Sequence, residues 1–175
     1  ANGAGVGEWK DSSPNGHDAT QPTPDRQPAF VEKAIGEKPG LKFDGKDDAL
    51  TVAGMPLKDL PVFELFIVAK TGDADTQSRV VLSAAEGSKA FMVSCRSNYF
   101  FQVYDRDAKG LSIGSDARAA VGTPYIVDVI HDAPARQSVA KSSVMDQWRS
   151  GASPNYLPDT AIQGALMIGG KDATD

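Results

Sequence analysis

The chain has one cysteine, Cys95, in 175 residues, which excludes an internal disulfide and any multi-cysteine zinc or iron-sulfur site. Cys95 ends the apolar stretch Phe91-Met92-Val93-Ser94-Cys95, the setting of an inert buried thiol rather than of a nucleophile. Long hydrophobic runs are also missing. The longest, Leu65 to Ala69, falls far short of the roughly 20 residues that cross a bilayer, so no membrane insertion is expected. No basic segment followed by an apolar one opens the chain, so any export signal is removed or lies further upstream. Lys and Arg number 18 against 23 Asp and Glu, for a formal net charge of -5. Scattered singly, the basic residues form no stripe for a phosphate backbone, and nucleic acid is not an expected partner.

Other scarcities narrow the chemistry. The two histidines, His17 and His131, have no Gly-x-Ser-x-Gly elbow to serve, and each reads as a surface hydrogen-bonding residue. No glycine-rich segment follows a strand and opens a helix, which leaves nucleotide binding without support. Repeats of roughly 20 to 50 residues are absent, which disfavours propellers and solenoids.

What is present fits one all-β domain over residues 1–175. Hydrophobic residues make up 41% and charged residues 23%, with 17 Gly and 11 Pro to punctuate many short elements. Strand-like pieces recur at Ala29 to Glu32, Gly40 to Asp44 and Ala49 to Val52, the last two joined by Gly45 to Asp48 as a tight hairpin-like connection. Val62 to Lys70 is nearly continuous in apolar residues, the pattern of a strand buried on both faces in mid-sheet. Arg79 to Ala84, Ala90 to Cys95 and Tyr99 to Tyr104 read as a meander, followed by a weaker strand ending at Ile113. In Tyr125 to His131, period-two alternation places Tyr125, Val127 and Val129 on one face and Ile126, Asp128 and Ile130 on the other. Gln137 to Trp148 reads as a hairpin arm and Ala165 to Ile168 as a last strand. About ten short strands predict a two-sheet antiparallel β-sandwich.

Two segments carry the most specific pattern: Trp9-Lys10-Asp11 with Asn15-Gly16-His17-Asp18-Ala19, and Phe43-Asp44-Gly45 with Asp47-Asp48. Both are turns of Asp, Asn and Gly between apolar stretches, where glycine supplies positive φ and the carboxylates bond back to the backbone. With Phe66-Ile67-Val68-Ala69-Lys70 and Ile168-Gly169-Gly170, in this order, they make the chain similar to laminin-G-like jelly-roll modules of the concanavalin A-like lectin and glucanase superfamily. The resemblance implies a jelly-roll sandwich in an extracellular or cell-surface setting. It also implies binding of a glycan or an extracellular protein, often with a calcium ion, and assigns Trp9 to core packing. Such modules usually carry a strand before the Trp-Lys-Asp segment and another after the Ile-Gly-Gly segment. Neither is recognisable here, so completion by more chain or by a neighbour in a larger assembly is expected.

Candidate chemistry is sparse. Asp44, Asp47 and Asp48 offer an oxygen-only donor set suited to calcium, or they cap their own turn. Asp73 with Asp75, and Asp105 with Asp107, share a spacing but do not continue into an EF-hand loop. Stacking on sugar rings needs aromatic faces, and Tyr99, Tyr104, Trp148 and Tyr156 are the candidates, with core packing as the alternative. Glycoside hydrolysis needs two flanking carboxylates. None of the five glutamates begins a Glu-x-Asp-x-x-Glu pattern, although Glu64 and Asp128 each sit among apolar strand neighbours. A non-catalytic binding or adhesion module is therefore expected, with a structural assembly subunit or a glycosidase as alternatives.

Overall fold

The structure is a computed structural model and describes residues 1–54, 57, 60–72, 79–86, 89–96, 99–104, 110–113, 122–132, 134–135, 137–144, 147–153 and 164–169. Its strands are β1 (Glu8–Trp9), β2 (Ala19–Thr20), β3 (Ala29–Ile35), β4 (Lys38–Lys42), β5 (Leu50–Val52), β6 (Val62–Lys70) and β7 (Arg79–Glu86). They continue with β8 (Lys89–Arg96), β9 (Tyr99–Tyr104), β10 (Gly110–Ile113), β11 (Pro124–Asp132), β12 (Gln137–Val144), β13 (Gln147–Ser153) and β14 (Leu166–Ile168). An eight-stranded sheet runs β1-β2-β5-β14-β7-β8-β9-β10, a four-stranded sheet runs β13-β12-β11-β6, and β3 with β4 forms a separate hairpin. Neighbours pair antiparallel.

The two larger sheets face each other across one core. The small sheet contributes Tyr125, Val127 and Val129, the alternate residues of β11, and the large sheet answers with Leu50, Val52, Leu82, Ala84, Phe91, Val93 and Leu166. Phe63 of β6 meets Phe91 of β8 edge to face, ring centroids 5.7 Å apart. The small sheet stacks toward one end of the large one, since β12 and β13 lie against β10. The sandwich and the meander β7-β8-β9-β10 are as the sequence predicts.

Four expectations are corrected. Residues 45–48 do not close a hairpin: β4 turns back onto β3 through Gly36, which has φ 56°, while β5 joins β2 and β14 in the large sheet. β6 is the end strand of the small sheet, so its residues alternate between exposed and half-buried instead of being buried on both faces. His131 is no surface residue. It is 1% exposed and packs against Phe63 at 5.1 Å, because strand alternation puts it on the same face as Tyr125, Val127 and Val129. Trp9 is 48% exposed; β1 lies at the outer end of the large sheet, beyond the core. Residues 1–7 run beside β3: Gly5 bridges Ala29, and Phe30 N donates to Ala4 O at 2.8 Å.

Candidate functional site

The loop between β1 and β2 is built from its own acids. Asp11 accepts three hydrogen bonds, from Ser13 N (2.7 Å), Ser13 Oγ (2.6 Å) and His17 N (2.9 Å). These bonds, the hydroxyl first, hold its carboxyl down to about 2. Asp18 accepts Asp11 N at 2.8 Å and Lys10 Nζ at 2.6 Å, and Lys10 also reaches Glu8 Oε1 at 2.7 Å. The lysine contact, with the Asp11 amide second, keeps the Asp18 carboxyl below the usual range. Gly16, at φ 70°, supplies the left-handed residue of the turn.

This loop walls a cleft of about 380 Å³ whose lining includes Trp9, Asn15 and His17, with apolar Ala19, Val52 and Ile168 at its base. Trp9 pairs with Ala19, and Ala19 with Val52, so the indole shares the inner face of the large sheet with two core residues. An exposed aromatic face bordered by amide, imidazole and carboxylate groups can stack on a flat ligand and bond its rim. Sequence reasoning missed Trp9. Its polar neighbours Lys10, Asp11 and Ser12 already marked the turn as a surface one.

The second motif also uses its acids locally. Asp44 N donates to Asp48 Oδ2 and Lys46 N to Asp44 Oδ1, each at 2.8 Å, around Gly45 at φ 76°. The Lys46 amide lowers the Asp44 carboxyl, whereas burial raises that of Asp48. One oxygen from each of Asp44, Asp47 and Asp48 lies within 4.8 Å of the others, and Arg26 Nε stands 4.0 Å from Asp47 Oδ2. Oxygen-only donors so close together suit calcium in type and spacing, while two of the three acids already stabilise the turn. The adjacent Phe43 explains the glycine of Ile168-Gly169-Gly170: its ring lies against Gly169, where a Cβ would overlap it.

Of the aromatic candidates, Tyr99 and Tyr104 bound β9 and Trp148 lies on β13 opposite Ser143, positions described by backbone and register alone. Tyr156 lies outside the described residues, as do Asp73, Asp75, Asp105 and Asp107. Glu64 and Asp128 do come together in register. Asp128 stands opposite Phe66 and Glu64 opposite Ile130, so the two acids are diagonal neighbours on the outer face of the small sheet.

These features define an antiparallel β-sandwich domain with an open aromatic cleft at one end. No protein family and no curated protein matches the chain significantly. Among solved structures it is similar to the enzymatically active domain of tailspike protein 2 of bacteriophage CBA120, with 11% identity and a TM-score of 0.58. The match covers 99% of this chain and 27% of that one. At such identity the likeness concerns the fold alone.

Proposed function

We propose that the chain is a non-catalytic binding or adhesion module, of laminin-G-like jelly-roll type, within a larger exported protein at the cell surface or outside the cell. Its ligand is a glycan or a protein surface. The observation that carries this reading is the cleft at Trp9, whose half-exposed indole sits between hydrogen-bonding side chains and an apolar base. Tyr99, Tyr104, Trp148 and Tyr156 are further aromatic candidates for the same role. Calcium belongs to the reading as the ion that Asp44, Asp47 and Asp48 would hold, and a melting temperature indifferent to millimolar calcium would remove it. The test of the module is binding to a glycan array and to extracellular-matrix proteins, compared between the native chain and Trp9→Ala. Loss of a binding signal in the variant supports the reading; equal binding in both moves the site away from Trp9.

Hydrolysis is the second reading, favoured by one observation. Diagonal neighbours across an antiparallel pair stand about 7–8 Å apart, and the Glu64–Asp128 placement is compatible with the roughly 5–9.5 Å between the carboxyl groups of glycosidases. The similar tailspike domain is named for an enzymatic activity. Polysaccharide turnover abolished by both Glu64→Gln and Asp128→Asn would establish this reading over the first.

A further inference from the structure

The outer face of the small sheet is apolar where a solvent-facing sheet is ordinarily polar. Of the five large hydrophobic side chains that stand exposed among the described residues, four lie on it: Val62, Phe66 and Val68 on β6, and Ile126 on β11. Register gathers them, since Val68 stands opposite Ile126, and on the same face half-buried Ile130 is paired with half-buried Val139. Asp128, between Ile126 and Ile130, is only 6% exposed, so its carboxyl is sheltered within the protomer. Lone exposed hydrophobics are ordinary, but a contiguous group of them marks a contact surface.

Charge selects the partner. Along β6 the outer residues run Glu64, Phe66, Val68, Lys70, all exposed, an order that becomes its own complement when reversed. We propose that the chain forms a two-fold dimer by stacking the outer faces of its small sheets. An axis lying between the two faces and crossing the strands at Ile67 sets β6 antiparallel over its copy. Glu64 then faces the partner's Lys70 and Phe66 faces the partner's Val68, each contact occurring twice. Aligned sheets stack about 10 Å apart, within the joint reach of a glutamate and a lysine. Lys70 donates to Ala34 O, which steadies its ammonium group and leaves two N–H groups for the acid. Four strands of seven to nine residues present a face of about 19 Å by 28 Å. Two such faces cover about 1,000 Å², the size at which specific interfaces begin. The pairing goes beyond the binding-module reading and leaves its site alone, because among the described residues none of β6, β11, β12 or β13 lines the Trp9 cleft. It does cover Glu64 and Asp128, so the dimer and hydrolysis between those acids are mutually exclusive.

Sedimentation equilibrium of the 175-residue chain should show monomer and dimer exchanging with a Kd of roughly 1–100 μM. Phe66→Ser, on an exposed face, leaves the core intact and should weaken the dimer at least about tenfold. Glu64→Lys and Lys70→Glu each turn two attractive contacts into repulsions, and each should weaken it about tenfold. Both reversals in one chain restore opposite charges across the interface at unchanged net charge, and the Kd should return to within about threefold of native. An equimolar mixture of the two single variants should likewise associate, as a heterodimer, because each introduced charge then meets an opposite one. Since the charge variants are judged by recovery of association, misfolding cannot imitate the expected result. A chain still monomeric at about 1 mM overturns the proposal and leaves the face to a different occupant. A dimer equally strong in the native chain and Phe66→Ser overturns it as well, and so does a doubly reversed chain that associates no better than the single variants.

Discussion

Replacing Phe91 by alanine tests whether the two sheets meet where the rings say they do. Phe91 is fully buried on β8 and receives the ring of Phe63 from the opposing sheet at 90°. A phenylalanine buries at least about 150 Å², which at about 25 cal/mol per Å² amounts to nearly 4 kcal/mol. Alanine keeps roughly a quarter of that, and the cavity left between two stiff sheets adds to the loss, for a total of about 3–5 kcal/mol. In a domain of this size the melting temperature should fall by about 6–20 °C. Urea unfolding with an unchanged m-value is the assay, repeated for Phe63→Ala and for the double variant. The aromatic pair should appear as a coupling of about 0.5–1.5 kcal/mol in that cycle. A loss below about 1 kcal/mol for Phe91→Ala, or a coupling near zero, would mean that β6 does not pack over β8.

Burial lowers the affinity of His131 for a proton in the folded state, with Asp132 opposing only in part. The unfolded chain therefore takes up the proton first, and stability should decline as the pH falls below about 6.5; His131→Gln should flatten that slope in unfolding measurements. The carboxyl of Asp11 is depressed, so the stability that it gives the β1–β2 loop is complete above about pH 4 and is lost as the pH falls through about 2. Asp11→Ala should remove hydrogen-exchange protection at the amides of Ser13 and His17 at neutral pH, and retained protection would count against the loop geometry. Gly169→Ala combines a φ of 86° with overlap on the Phe43 ring and should cost about 1–3 kcal/mol. Gly16→Ala, at φ 70° with open space around it, should cost only the backbone term of roughly 1–2 kcal/mol.

Strand existence was legible where period-two alternation is strong. In β11 the alternation separates the faces as read: Tyr125, Val127 and Val129 share the core-facing side, while Asp128, on the other face, is buried as well. The same parity carried a signal left unused, since it places His131 inward as well. β6 shows the opposite limit: its residues mark a strand correctly, yet Phe66 and Val68 read as buried because apolar character does not say whether another strand stands alongside. Pairing partners were also invisible between residues 40 and 52, where proximity in sequence suggested a hairpin and the Gly36 turn had already committed β4 to β3. Trp9 was taken as core by resemblance. It does lie on the core-facing side of the large sheet, but it is left open because the four-stranded sheet does not extend over it.

β14 holds a position out of proportion to its three residues. Among the described strands it alone joins β5 to β7, with Leu166 in register with both Val52 and Ala84. Before residues 166–168 are synthesised, β1, β2 and β5 on one side and the β7–β10 meander on the other have no ladder in common. A nascent chain halted short of Leu166 would hold two half-sheets with a strand-wide slot between them. Filling that slot closes two long loops at once, a step expected to be late and slow in folding. Ribosome-stalled intermediates of increasing length should therefore gain protease resistance abruptly once β14 has emerged from the exit tunnel, rather than gradually as each strand is added.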